Sequence, residues 1–375
     1  MSTTPITIPM AQPVIGEAEE REVLEVLRSG QLSLGRKTIA FEEGLAARLG
    51  VAYGRATSSG TAGLHLALRA AGVQAGDEVV TSPLSFIASA NAVLFERAVP
   101  KFVDIDPVTL NLDVEAAADA IGPKTKALLP VHIFGYPADT PALERHGLPI
   151  VEDACEALGA THADGTPVGG RGHSAVFAFY ANKQLATGEG GMVVTNDAAV
   201  AERIGSERNQ GRAPDMGWLD HDRLGFNYRM SELQAALGVA QLGRLDQMLA
   251  DRAQVAAWYR AALADLAERT GLTLPCENRG DERRGWFVFV VQVPKGVDRD
   301  ETIRGLRAGG IDGKPYLPPI HLFSFYRELG YREGMFPVCE DIGARSLALP
   351  FFPAMTQAQV EQVVERLAQL LLGTA

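Results

Sequence analysis

Cysteine is scarce in this chain, and what there is lies far apart: Cys155, Cys276 and Cys339 are the only three. An odd number of widely spaced thiols gives neither a disulfide framework nor a zinc-ligand spacing. Positive charge is also in deficit. The 35 Lys and Arg residues stand against 46 Asp and Glu, a formal net charge of −11, which argues against nucleic acid as a main partner because a phosphate backbone selects basic faces. No apolar run approaches the length of a membrane span. Residues 1–20 carry no basic segment followed by an apolar one, so no secretory leader is expected and the cytoplasm is the expected compartment. The seven histidines form no H-E-x-x-H pair. No G-x-G-x-x-G follows a strand-like run, and "GGIDGKPY" lacks the hydroxyl residue and glycine spacing of a P-loop.

What is present is a chain of 375 residues, 46% hydrophobic and 22% charged, a soluble globular composition with length for two domains. From about residue 50, helical and strand-like patterns alternate. "SSGTAGLHLALRAAG" leads from a turn into a helix, "DEVVTSP" is strand-like, "FIASANAVLFERA" helical and "VPKFVDID" strand-like. "LDVEAAADAIG" and "TKALLPVH" repeat the alternation, and "TPALERHG" precedes the strand "LPIVEDA". Such alternation predicts crossover units and a mainly parallel sheet covered on both faces. One long helical block, "SELQAALGVAQLGRLDQMLADRAQVAAWYRAALADLAERTG", is expected to run from a large domain, residues 1–245 with an N-terminal arm, into a smaller α+β domain, residues 246–375.

Three features fall at or near the ends of predicted strands, where open α/β sheets bind ligands. "SSGTAG", Ser58 to Gly63, opens a helix with small residues, so backbone N–H groups and the helix dipole can meet an anion; alone it also reads as an ordinary capped helix start. Asp153 ends a buried strand, where it could cap a following helix or hold a proton on a ligand nitrogen. Lys183 stands in a loop between two apolar runs, Phe177–Tyr180 and Met192–Thr195. A lone loop lysine is usually solvated, but glycines and flanking strands can shelter it and make its amine a nucleophile toward an aldehyde. Together the three offer an anion seat, an acid for a ring nitrogen and an amine for an aldehyde, the groups that pyridoxal phosphate presents. "VDID", with Asp104 and Asp106, has the look of a metal-binding D-x-D; with no second carboxylate cluster it reads as a strand end entering a turn, and no metal site is expected.

Six segments in order, "SSGTAGLHLAL", "SPLSFIASANAVLFERAVPKFVDID", "VEDACEALGA", "FYANKQLATGEGGMVVTND", "GFNYRMSELQAALG" and "KPYLPPIH", resemble the DegT/DnrJ/EryC1/StrS family of pyridoxal phosphate-dependent sugar aminotransferases, over nearly the whole chain. The resemblance implies the aspartate aminotransferase-like fold type I of these enzymes, with a mixed, mainly parallel sheet of seven strands. Lys183 would be the lysine joined to the cofactor, Asp153 the partner of its pyridine nitrogen, Glu156 a neighbour of its phenolic oxygen, and Phe86 a ring stacked on its face. Gly60, Thr61 and Ala62 would lie at its phosphate. Asn227 resembles the residue that reaches the phosphate from the other subunit, which implies a homodimer with shared active sites.

Arg229, Lys314, Tyr316 and His321 are candidates for substrate contact, and so are Arg208 and Arg212. The implied reaction moves an amino group from L-glutamate, leaving 2-oxoglutarate, to a keto group of a nucleotide-linked sugar. The family's commonest substrates are 4-keto-6-deoxy hexoses; a 3-keto sugar or a cyclitol is the alternative, and a non-catalytic binding or regulatory protein the alternative of a different class. Lysine at 183, where sugar-dehydrating relatives carry histidine, favours transamination. One departure stands out: Ala178 occupies the position, five before the lysine, at which the family usually has a serine hydroxyl for the phosphate.

Overall fold

A computed structural model describes residues 5–213 and 220–373. Seven short aliphatic strands follow one another through the first part of the chain: β1 (Tyr53–Thr57), β2 (Glu78–Thr81), β3 (Val99–Phe102), β4 (Thr125–Leu129), β5 (Val151–Asp153), β6 (Ser174–Ala178) and β7 (Gly191–Thr195). They form a sheet of four, in the order β1-β7-β6-β5, and a sheet of three, β3-β2-β4. β4 and β5 stand side by side between the two, joined by isolated parallel bridges, Leu128 to Ile150 and Val131 to Asp153, and by hydrogen bonds such as the Leu128 N–H to the Pro149 carbonyl at 2.9 Å. Pairing is parallel except for β7, which is antiparallel to both β1 and β6. No helix lies between β6 and β7. A chain that returns without a crossover comes back antiparallel, and this return, residues 179–190, carries Lys183. The lysine run ends as a strand at Ala178 rather than Tyr180.

Strand side chains alternate between faces, and both faces of these strands are covered. Ala175, Phe177, Met192 and Val194 pack with Phe41, Leu45 and Ala235 on one side. Val176 and Val193 pack with Leu64, Leu68, Val200 and Ile204 on the other. On the first side lie the helices Arg36–Leu49 and Glu232–Leu242. The Phe41 ring meets Phe179 edge-on with centroids 5.0 Å apart, one residue beyond β6. Gly238 makes the space: a Cβ there would stand 2.8 Å from three atoms of the Phe41 ring.

The expected continuous helix after residue 231 is two helices, Glu232–Leu242 and Leu245–Thr270, separated at Gly243 and Arg244. Glycine is a poor helix former, and the break lets the second helix leave the first core. Its start, Leu245 and Met248, packs on that core. Its later turns, from Val255, pack against a second one with Phe289, Leu306, Leu347 and Val363. This second core covers an antiparallel sheet in the order β8-β10-β9, made of β8 (Phe289–Gln292), β9 (Lys314–Pro315) and β10 (Ser346–Leu349). The N-terminal arm, expected with the first domain, joins this unit instead: Ile8 bridges Ile311 and is buried in the second core. Among the described residues, no helix is long and apolar enough to cross a membrane.

The helix Arg36–Leu49 begins at Gly35, which has no side chain to cap it. The buried Glu232 carboxylate supplies the cap from the other helix, accepting from the Lys37 N–H at 2.8 Å, the Thr38 N–H at 3.0 Å and the Thr38 hydroxyl. Glu232→Ala leaves those donors unmet. Hydrogen bonds to a charged group contribute about 1.5–3 kcal/mol, so the variant is expected to unfold at lower urea concentration by a free energy of that order, with the slope of the transition unchanged.

Candidate active site

A cavity of about 430 Å³ opens at the carboxyl ends of β1, β2, β4, β5 and β6. Gly60 and Thr61, Phe86, Asp153, Glu156, Lys183 and Tyr316, far apart in sequence, all line it.

At one end lies the helix Gly60–Ala70. Ser59 is its N-cap, and its Oγ accepts from the Ala62 N–H at 3.1 Å. The Gly63 N–H reaches the Ser59 carbonyl at 3.0 Å. The amides of Gly60 and Thr61 precede these and have no carbonyl in the helix to donate to, so they are the donors that an anion in the cavity meets. The helix comes close to the strands because it is glycine that faces them. A Cβ on Gly60 would stand 2.7 Å from the Ala178 Cβ, and one on Gly63 2.7 Å from a Val176 methyl. Ala62 itself is buried behind the cap and does not line the cavity.

Lys183 is sheltered, its side chain 13% exposed. The amine lies 3.5 Å from Glu156 Oε1 and 3.9 Å from the centroid of the buried Phe287 ring. Glu156 accepts the Phe134 N–H at 3.0 Å on its other oxygen. Burial raises the Glu156 carboxyl above its ordinary value, and the Lys183 charge and the Phe134 N–H oppose that rise. Tyr316 closes the same side; burial, then the neighbouring Glu156, pushes its phenol far up, so it stays a hydroxyl donor.

Asp153 ends β5, and a turn rather than a helix follows it, so helix capping does not account for it. Its Oδ2 accepts the Ser89 hydroxyl at 2.6 Å and its Oδ1 the Cys155 N–H at 3.2 Å. Ser89 in turn lies 2.6 Å from the Ser85 hydroxyl. Two donors thus orient a carboxylate that is almost entirely removed from water. Phe86 sits between these serines in sequence and lines the cavity 61% exposed. Cys155 also lines it, but burial and then Asp153 raise its thiol well above the ordinary range, so it is no thiolate nucleophile.

Other candidates stand elsewhere. Asn227 is exposed and does not line this cavity, although its neighbour Tyr228 is tied to the cradle through the Ser58 N–H, 2.7 Å from its carbonyl. Arg229 donates to Asn209 Oδ1 at 3.0 Å, and Lys314 is exposed on β9; neither lines the cavity. His321 is a correction. It is fully buried, pairs with Glu340 at 3.0 Å, packs edge-on to Phe336 and lines no part of the cavity. Arg208 is also engaged, with Glu42 and the Ala56 carbonyl. Asp104 and Asp106 accept main-chain N–H groups of residues 338, 339, 108 and 109, as the strand-end reading requires. Among the described residues, no group of three or more His, Cys, Asp or Glu is arranged to hold a metal.

Sequence reading missed Ser89, Phe287 and Asn182. Only Ser89 left a signal, in the four-residue spacing from Ser85 within "SPLSFIAS". Asn182 lines the cavity, and its buried Oδ1 has no hydrogen-bond partner among the described residues.

The donor set fits pyridoxal phosphate. Two amides at a helix start suit a phosphate, Asp153 a ring N–H, Lys183 an aldehyde and Phe86 a flat ring. The model of the DegT/DnrJ/EryC1/StrS aminotransferase family matches residues 13–368. GDP-perosamine synthase of Caulobacter vibrioides is 39% identical over 97% of this chain and 98% of its own. The spore coat polysaccharide biosynthesis protein SpsC of Bacillus subtilis is 37% identical over 98% and 97%. Among solved structures, S. venezuelae DesV, in complex with a ketimine intermediate, superposes with a TM-score of 0.89 at 35% identity, over 98% of each chain. The fold is that of the fold type I pyridoxal phosphate enzymes. With the matching cavity, these comparisons establish that the chain belongs to the DegT/DnrJ/EryC1/StrS aminotransferase family and is a pyridoxal phosphate-dependent sugar aminotransferase.

Proposed function

We propose that this enzyme transfers the amino group of L-glutamate to the keto group of a nucleotide-linked 4-keto-6-deoxy hexose. The observation that carries the reading is the one cavity that Lys183, Asp153 and Glu156 share, with the amine 3.5 Å from the Glu156 carboxylate. The identity with a GDP-perosamine synthase supports a nucleotide-linked sugar.

In this reading Lys183 and Asp153 are the catalytic residues, and Gly60, Thr61, Glu156 and Phe86 hold the cofactor, with Ala62 behind them bracing the helix start. When bound, pyridoxal phosphate supplies a ring that accepts the electrons left when a proton leaves the donor's α-carbon. The Lys183 amine would remove that proton as a base and, as an acid, return it two bonds away, on the far side of the donor's nitrogen. Asp153, oriented by Ser89 and the Cys155 amide, holds the proton on the ring nitrogen. Phe86 would cover a face of the bound ring, and the buried Phe287 ring shields the Lys183 amine. Tyr316 offers a hydroxyl at the mouth for substrate, with Lys314 two residues before it and Arg229 as cations for the diphosphate.

The same reading makes the enzyme a homodimer. Asn227 is exposed and does not line its own chain's cavity, and Leu224, 71% exposed, stands close by in sequence; both suit a partner's surface, with Asn227 reaching the partner's phosphate. We also read the chain as two domains that meet near residue 245, the first holding the cofactor.

Purified enzyme is expected to show a visible absorption band with pyridoxal phosphate and to form one 2-oxoglutarate per sugar aminated. Lys183→Ala should lack the band and lose turnover by about 10²-fold or more. Amination of a 3-keto sugar or a cyclitol in preference to the 4-keto substrate would overturn the substrate while leaving the aminotransferase. A protein that neither colours nor turns over would overturn the assignment of Lys183.

Position 178 gives a second test. The Ala178 Cβ lies against Gly60, at the helix start, so a hydroxyl there would face the phosphate seat. Ala178→Ser adds one donor to a charged group, about 1.5–3 kcal/mol, and the cofactor dissociation constant is expected to fall about tenfold or more. A constant equal to or above that of the wild type would contradict the role of this position.

A further inference from the structure

Arg252 is buried in the middle of the apolar stripe of the helix Leu245–Thr270, 3% exposed, among Met248, Val255, Ala256 and Tyr259. No carboxylate lies within ion-pair distance of it among the described residues. A leucine or methionine would complete the stripe, and an unpaired buried cation carries a heavy desolvation cost. Burial lowers its pKa to about 10, still far enough above neutrality to keep it charged.

The compensation comes from three main-chain carbonyls and one ring. Nη1 donates to the Phe287 carbonyl at 3.1 Å, and Nη2 to the Lys183 carbonyl at 3.1 Å and the Asn182 carbonyl at 3.5 Å. The guanidinium stands 5.7 Å over Phe351. These carbonyls belong to the two segments that fix the reactive amine: the lysine segment and the one carrying the Phe287 ring, 3.9 Å from Nζ. Gln184 makes a parallel tie, donating to the Glu156 carbonyl at 2.5 Å and the Gly285 carbonyl at 2.9 Å.

We propose that Arg252 is the positioning residue of Lys183, one planar fork holding the lysine main chain to the Phe287 main chain and thereby setting where the amine stands. This rests on the reading of Lys183 as the cofactor-bearing lysine. The irregular return 179–190 has few main-chain bonds of its own near the lysine, the Lys183 N–H to the Tyr180 carbonyl among them. A bidentate donor from a long helix supplies the stiffness it lacks, and Arg presents donors on separate nitrogens of one rigid plane.

The test uses two forms of the cofactor. The Lys183 amine can condense with the aldehyde of pyridoxal phosphate, releasing one water with no oxidation, whereas pyridoxamine phosphate has no aldehyde. The apo-forms of the wild type, Arg252→Met and Lys183→Ala are titrated with each, by visible absorption and tryptophan fluorescence. Arg252→Met is expected to weaken the aldehyde form about tenfold or more and to leave the amine form within about threefold; the carbonyls left without their donor lower the thermal midpoint, a loss common to both titrations, so the ratio of the two affinities is what decides. Equal losses for both forms, or none for either, would overturn the proposal. A wild type without a visible band would instead fail the Lys183 reading itself. If Arg252→Met does not fold, Arg252→Lys keeps the charge without the fork, and the same ratio decides.

Discussion

An amine taken out of water needs something in place of water, and the arrangement around Lys183 is organised by that need. One carboxylate oxygen at 3.5 Å and one aromatic face at 3.9 Å stand where solvent would be. They come from different parts of the chain: Glu156 follows β5, while Phe287 precedes β8 and lies at the junction with the C-terminal core. The amine's surroundings therefore draw on residues both before and after the long helix. That helix starts in one core and ends in the other, and it carries Arg252 on its buried face.

The anion seat follows the opposite logic, removal of bulk rather than addition of partners. Gly60 and Gly63 lie one helical turn apart, so both face the strands, and any side chain there would meet Ala178 or Val176. Gly191, at the start of β7, completes the fit: a Cβ there would fall 2.4 Å from the Ser59 carbonyl oxygen. The helix start is thereby pressed into the sheet, with its amides directed at the cavity beside Asp153. The Ala178 Cβ belongs to the same close contact.

Local features of the site were legible in the sequence, and long-range ones were not. Ser58–Gly63, Asp153 and Lys183 each sit in a short pattern whose chemistry shows at the level of a few residues. The alternation of helix and strand gave the layered fold, because each crossover writes its period into ten residues or so. What stayed hidden was whatever depends on distant pairing. Arg252 lies 69 residues from the carbonyl it holds, Ser89 lies 64 from the carboxylate it orients, and neither residue type is unusual in a helix. His321, a candidate for substrate contact with Lys314 and Tyr316 in "KPYLPPIH", turns inward to Glu340 instead. Gly243, by contrast, was a visible break that the strong periodicity on either side outweighed.

The arginines near the cavity explain how an acidic enzyme could manage an anionic substrate without binding anions at random. Arg69 is held by Glu96 and Glu207, Arg203 by Glu207, and Arg55 and Arg208 by Glu42. Arg69 and Arg203 are thus balanced by two carboxylates, while Arg55 and Arg208 share the single Glu42, and none of the four lines the cavity. Charge complementarity for a phosphate must then come from short-range elements: the amides at Gly60 and Thr61, and cations brought to the rim. Arg229 has the neutral Asn209 amide rather than a carboxylate as its partner, and Lys314 is exposed. Short-range donors discriminate by geometry, where a broad basic surface would discriminate only by charge. On that physical ground a net charge of −11 is compatible with a diphosphate substrate and favours selecting it by position.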